Sequence, residues 1–206
     1  MHGVLSRKLT IGQFAVLKRK PKNFLWDTTQ TVNEAFNISF VRWYLTRWCN
    51  QDEWIWEPFA GHKTSCRTLS LAKNLGYKIV AFDIANWDTR VYKKDSTKEG
   101  PGRGCQGVIF HPPYFGTSLQ SQEVGDISSI EDEEEYEKAL RKTVRLAVDA
   151  IGENGTACVI GRQYHFRGKL RRMAFLYTSL FYEEGFELVE VLSCVPDVAV
   201  ILKRGK

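Results

Sequence analysis

Short apolar runs alternate along this chain with longer stretches of helical period, and that alternation restricts the fold more than any other feature. "EWIWEPF" (53–59) reads as a buried strand ending in Glu-Pro, and "KTSCRTLSLAKNLG" (63–76) as a helix stopped by glycine. "YKIVAFDI" (77–84) is a strand ending in an acid, and "QGVIF" (106–110) is another buried strand. "EDEEEYEKALRKTVRLAVDAIGENG" (131–155) is a helix that Gly152 ends; its acidic first turns suit the positive end of the helix dipole. "TACVIG" (156–161) is a strand, "GKLRRMAFLYTSLFYEEG" (168–185) a helix, and "FELVEVLSC" and "DVAVILKRG" are two closing strands around Pro196. Strand alternating with helix predicts an α/β fold, a mostly parallel sheet with helices on both faces. Two final strands with no helix between them predict an antiparallel C-terminal hairpin. Ahead of these units, "AFNISFVRWYLTRWC" (35–49) reads as an amphipathic helix and "LTIGQFAVLKRK" as a strand pair or an arm.

At 206 residues the chain is long enough for one domain with a sizeable core. No apolar run reaches the roughly 18 residues that span a membrane, and the N-terminus has no apolar signal core. Five scattered cysteines without CxxC spacing argue for reduced thiols in a cytoplasm and against a zinc site or disulfide framework. The net charge of +5 is mild, but the signs are segregated. Basic residues cluster at Arg7, Lys8, Lys18, Arg19, Lys20 and Lys22, and again at Arg162, Arg167, Lys169, Arg171 and Arg172, the second set among Tyr164, His165 and Phe166. Acids concentrate in "EDEEEYE" (131–137). Such segregation suits one face that meets phosphates.

In an open parallel sheet, ligands bind beyond the carboxyl ends of the strands, and the unusual residues fall there. After the first strand comes "EPFAGHKTSC" (57–66), with Gly61 for a tight turn and a helix whose free N–H groups point back at it. Asp83 ends the next strand about 20 residues on, the place of an acid that receives two ribose hydroxyls. Neither the GxGxxG dinucleotide pattern nor the Walker lysine is present. "VIFHPPYFG" (108–116) then stops an apolar run at a histidine, two prolines and an aromatic.

Together "WEPFAGHKTSCRTLSLAKNLGYKIVAFDI" and "VIFHPPYFG" resemble the amino-group (N6-adenine/N4-cytosine) DNA methyltransferases, whose S-adenosylmethionine motif reads D-P-F-x-G-x-G-T-T and whose catalytic motif reads [DNS]-P-P-[YFW]. "GDISSIEDEEEYEKALRKTVRLAVDAIGENGTACVIGRQYHFRGKL" is similar to the stretch downstream of the catalytic motif in many of them, and the likeness covers about residues 30–203. It implies a Rossmann-like S-adenosylmethionine-dependent methyltransferase fold in a single domain, 1–206, with residues 1–30 as a basic arm and no large separate target-recognition domain. It implies S-adenosyl-L-methionine as cofactor, held by Phe36, Asn37, Glu57, Pro58, Phe59, Gly61, Thr64, Asp83 and Asp95, with Asp95 ending a third strand near the adenine. Two departures stand out: Gly61 is followed by His62 and Lys63 instead of a second glycine, and His111 replaces the catalytic acid, amide or hydroxyl.

An exocyclic amine is a weak nucleophile because its lone pair is delocalised into the ring, so it must be oriented and its hydrogens must meet acceptors. A Pro-Pro pair stiffens the strand end and removes two N–H donors. The resemblance assigns catalysis to His111, Pro112, Pro113 and Tyr114, with the Pro112 carbonyl and a neutral His111 imidazole as acceptors. Tyr114, helped by Phe115, offers a ring face to a base that has left its duplex. Phe115, Arg162, Arg167, Lys169, Arg171 and Arg172 are the expected DNA contacts, with RNA possible and a short or relaxed sequence preference; no metal is called for. An RNA base, a protein glutamine amide, and a non-catalytic nucleic-acid-binding version of the same fold remain open alternatives.

Overall fold

A computed structural model describes residues 36–61, 64–85, 88–117, 121, 123–194 and 196–205, with backbone alone for 64–66. The basic N-terminal arm and its lysine and arginine cluster lie outside the described residues. The elements in chain order are α1 (Ser39–Trp48), β1 (Trp54–Glu57), α2 (Thr64–Leu75), β2 (Lys78–Asp83), β3 (Tyr92–Lys93), β4 (Cys105–Phe110), α3 (Glu133–Ile151), β5 (Thr156–Phe166), β6 (Lys169–Arg172), α4 (Met173–Glu183), β7 (Phe186–Cys194) and β8 (Asp197–Arg204). They form one sheet of order β3-β2-β1-β4-β5-β8-β7, with β6 paired to β5 outside that path. Pairs β1–β2, β1–β4, β2–β3 and β4–β5 are parallel, whereas β8 runs antiparallel to both β5 and β7.

Side chains alternate along the central strands and so divide the core into two layers. Trp56, Val108, Phe110, Ala157, Val159, Val200 and Leu202 pack with Tyr136, Leu140 and Val144 of α3 and Tyr177 and Phe181 of α4. Ile55, Ile109, Cys158, Ile160, Ala199 and Ile201 face the other way, against Phe40, Val41, Tyr44 and Leu45 of α1 and Leu71 and Ala72 of α2. Helices therefore cover both faces. Helix α3 begins where its acids predict: Asp132 is the N-cap, its carboxylate accepting from the Glu135 N–H at 2.9 Å, and Gly152 closes the other end.

Three readings of the sequence need correction. The strand opened by "TACVIG" runs on to Phe166, and residues 169–172 are not a helix start but a strand, β6, antiparallel to it. Helix α4 begins only at Met173. The third strand stops at Lys93, so Asp95 does not end it; Asp95 instead caps the following turn, its Oδ1 accepting from the Thr97 N–H at 2.9 Å and the Thr97 hydroxyl at 2.7 Å. Among the described residues no helix is long and apolar enough to cross a membrane.

Candidate active site

The carboxyl ends of the parallel strands converge on one edge of the sheet, and β8, being antiparallel, brings its first residue to the same edge. There Arg162 of β5 and Asp197 of β8 are register partners. The Arg162 Nε donates to Asp197 Oδ1 at 2.8 Å, and Asp197 is 2% exposed. A carboxylate this deep needs such a partner.

One half of the edge is the turn after β1. Glu57 ends the strand almost fully buried, and its Oε2 has no hydrogen-bond partner among the described residues. Burial holds this carboxyl well above the usual carboxylate range; the nearby Thr68 side chain favours the charge, and the negative Asp83 opposes it. Asp83 closes the turn: its Oδ2 accepts from the Gly61 N–H at 2.7 Å and its Oδ1 from the Ala85 N–H at 3.0 Å. Pro58 presents its carbonyl to the buried Ser96 hydroxyl at 2.6 Å, which ties the 95–97 turn to the end of β1. Phe59 lies edge-on to Phe110, centroids 5.6 Å apart, and so joins this half to the last residue of β4. Thr64 opens α2; its side chain is outside the described residues.

The other half is the loop after β4. Phe36 (2% exposed) packs edge-on against the His111 ring at 4.8 Å, and Asn37, just before α1, accepts from the Ser39 N–H through its Oδ1 at 2.9 Å. His111 Nε2 lies 3.0 Å from the Tyr114 hydroxyl. Burial, reinforced by the positive Arg162, depresses the His111 pKa to about 3, so the imidazole is neutral throughout the physiological range. Burial also pushes the Tyr114 hydroxyl up, which keeps it protonated.

Three successive carbonyls of this loop are taken. The Tyr136 hydroxyl donates to the Pro113 oxygen at 2.6 Å, Thr117 Oγ1 to the Tyr114 oxygen at 2.8 Å, and the Tyr164 hydroxyl to the Phe115 oxygen at 2.5 Å. The carbonyl of Pro112, a buried residue, has no hydrogen-bond partner among the described residues.

The strand pair β5–β6 clamps this loop from outside. Tyr164 stacks on Tyr114 with centroids 5.7 Å apart and planes 22° from parallel. Phe166 sits edge-on to Phe115 at 5.7 Å, and a Cβ on Gly116, whose φ is +69°, would lie 2.3 Å from the Phe166 ring. Arg171 covers the Phe115 ring, its guanidinium carbon 5.5 Å from the centroid, and pairs with Glu133. Contacts of this kind contribute about 0.5–1.5 kcal/mol each beyond the area they bury.

The predicted residues therefore gather in two adjoining groups, with exceptions among the bases. Arg162 and Arg171 are occupied by acids, whereas Arg167, Lys169 and Arg172 are exposed. Asp95 is salt-bridged to Lys98 at 2.8 Å, with Oδ2 near Gly125. Sequence reasoning missed Tyr136, Tyr164, Ser96 and Asp197. Their pairings span 23 residues for Tyr136–Pro113 and 35 for Arg162–Asp197, and only tertiary structure brings them together. Among the described residues no group of three or more His, Cys, Asp or Glu is arranged to hold a metal ion.

No family model matches the sequence, and no curated protein matches it. The structure is similar to TrmN from Thermus thermophilus (TM-score 0.54, 13% identity, covering 85% of this chain and 51% of that one). It is similar also to the glycopeptide N-methyltransferase MtfA, complexed with S-adenosyl-L-methionine (TM-score 0.52, 11% identity, 80% and 92%). A third likeness is to the mitomycin 7-O-methyltransferase MmcR (TM-score 0.51, 11% identity, 82% and 54%). The chain spans about half the length of TrmN and of MmcR. The fold is the Rossmann-like fold of S-adenosylmethionine-dependent methyltransferases.

Proposed function

We propose that the chain is an S-adenosylmethionine-dependent methyltransferase acting on an exocyclic amino group of a nucleobase in DNA, adenine N6 ahead of cytosine N4. The observation that carries the proposal is the unpartnered carbonyl of the buried Pro112, set between a neutral imidazole and a loop whose next three carbonyls are occupied. With the imidazole proton on Nε2, donated to the Tyr114 hydroxyl oxygen, His111 Nδ1 and the Pro112 carbonyl are two acceptors at a stiff strand end for the two hydrogens of an amino group. With its conjugate acid at about 3, His111 orients the amine and does not store a proton, which leaves to solvent. The Tyr114 ring offers a stacking face to a base worth about 1–3 kcal/mol.

The cofactor side fits the same reading. A buried carboxylate oxygen without a partner is costly, and Glu57 Oε2 is matched by the ammonium of an amino-acid moiety. Asp83, at the end of β2, is assigned to the ribose hydroxyls by its place after the glycine turn, which it closes by accepting from the Gly61 N–H. The same reading assigns Phe36, Asn37, Pro58, Phe59, Gly61, Thr64 and Asp95 to the cofactor. When bound, the cofactor supplies an electrophilic methyl group on a sulfonium.

The test is incubation with methyl-labelled S-adenosylmethionine and, in parallel, duplex DNA, RNA and a protein mixture, followed by digestion to nucleosides and amino acids. Label in N6-methyldeoxyadenosine is the expected outcome. Label confined to ribonucleosides or to glutamine would move the substrate to another class, and binding of nucleic acid without any transfer would make the fold a non-catalytic one.

A further inference from the structure

The five basic residues of the 162–172 stretch fall into two groups on the β5–β6 hairpin. Arg162 and Arg171 are committed to Asp197 and Glu133. Arg167, Lys169 and Arg172 are exposed and form no ion pair among the described residues, and positions 163–172 contain no acid. The register gives the hairpin two faces, because directly paired residues of antiparallel strands share a side. Tyr164 with Arg171 and Phe166 with Lys169 form the inner face, which grips the catalytic loop through Tyr114, Phe115 and Gly116. Gln163 with Arg172 and His165 with Leu170 form the outer face, and all four are exposed.

Two features are unusual for a plain surface. Leu170, 43% exposed, is one of four large hydrophobic residues left so open among those described. The tip is a two-residue turn in which Arg167 (φ +49°) and Gly168 (φ +72°) both occupy the left-handed region, the requirement of a tight type I′ connection. An arginine there carries backbone strain that glycine or asparagine would not, and its guanidinium carbon lies 5.0 Å over the Phe166 ring, which holds the charge at the tip.

We propose that this hairpin is the protein's grip on duplex DNA, with Arg167, Lys169 and Arg172 on phosphates and Leu170 as the wedge that enters the base step beside the target. The proposal rests on the nucleobase reading above. A base stacked on Tyr114 has left its duplex, and the duplex it left then lies against the element that covers Tyr114. Cations on that element neutralise phosphates and release counterions. An aliphatic side chain among them fills or opens the stack, as apolar wedges do in bent and unstacked DNA.

The experiment uses the full chain and oligonucleotides of mixed sequence, with fluorescence anisotropy measured across a salt series. In the variant R167N/K169Q/R172Q the slope of log affinity against log salt should become shallower by about 2.7, three phosphate contacts' worth. Asparagine keeps the left-handed tip, so the melting temperature serves as the control that the hairpin is still folded. Leu170→Ala should slow methyl transfer to duplex DNA about tenfold while leaving single-stranded DNA within about twofold. An unchanged salt slope, or equal slowing on single and double strands, would overturn the grip. Hairpin-dependent duplex binding by a wild type that transfers no methyl group would sink the chemistry and sustain the grip. Transfer to DNA with an unaltered slope would do the reverse.

Discussion

His111 stands where the resembled family places an acid, amide or hydroxyl, and its surroundings explain how a histidine serves there. Phe36 and Tyr114 border the ring, and burial together with the Arg162 charge keeps it unprotonated. A group whose folded pKa is depressed from 6.5 to about 3 stays neutral as pH falls through 6.5, so transfer should show no acid limb there. A kcat that fell with an apparent pKa near 6.5 would mean that His111 is solvated and protonated, and its role as acceptor would fail. His111→Asn restores a family side chain with an acceptor oxygen and should retain most of kcat. His111→Leu, which keeps bulk and removes the acceptor, should lose about 10²–10³-fold, the usual range for one oriented hydrogen-bonding group in an active site. Cofactor affinity measured by calorimetry separates that loss from misfolding.

The elements that define the fold were legible because their periodicity is local. Strands β1, β2 and β4 each hold a short apolar run, at 54–56, 79–82 and 107–110, and α3 has its own acids and glycine as punctuation. The hairpin was not legible. "KLRR" leads without a break into the apolar helix α4, and what makes it a strand is its pairing with residues 163–166. The tyrosine hydroxyls that hold the Pro113 and Phe115 carbonyls carried no signal either, since Tyr136 at helical spacing reads as core and the partner of Tyr164 lies 49 residues away. Gly116 tests whether the hairpin clamp matters energetically. Alanine there meets both a φ of +69° and the Phe166 ring 2.3 Å away. Strain and overpacking together should destabilise the fold by about 2–5 kcal/mol. Gly168→Ala, with a φ of +72° and nothing within 4 Å, should cost only the backbone part, about 1–2 kcal/mol. Adding Phe166→Ala to Gly116→Ala should recover part of the larger loss in denaturant unfolding. Strict additivity of the two changes would show that the ring and the loop are not coupled.

Across the whole molecule, the two halves of the site pull stability in opposite directions with pH. His111 binds a proton in the unfolded chain below about 6.5 but not in the fold until about 3, so its contribution is lost as the solution is acidified through that interval. Glu57 behaves inversely. Its folded pKa is raised, so the native protein holds a proton that the unfolded chain has released, and the stability this gives is present below about 4.5 and lost as pH rises toward the folded value. Glu57, the carboxyl that the proposal sets against the cofactor's ammonium, thus weakens the unliganded fold most at neutral and alkaline pH, the condition in which that ammonium would compensate it. Glu57→Gln removes the ionisation while keeping the shape. Its stability difference from wild type should be small near pH 4.5 and grow in the variant's favour as pH rises, while its affinity for S-adenosylmethionine falls by about ten- to a hundredfold, the loss of one charge-assisted contact. Urea unfolding across the pH range reads the first effect and calorimetric titration the second. A variant that gained stability without losing cofactor affinity would leave Glu57 a buried structural acid, and the ammonium would have to be held elsewhere along the sheet edge.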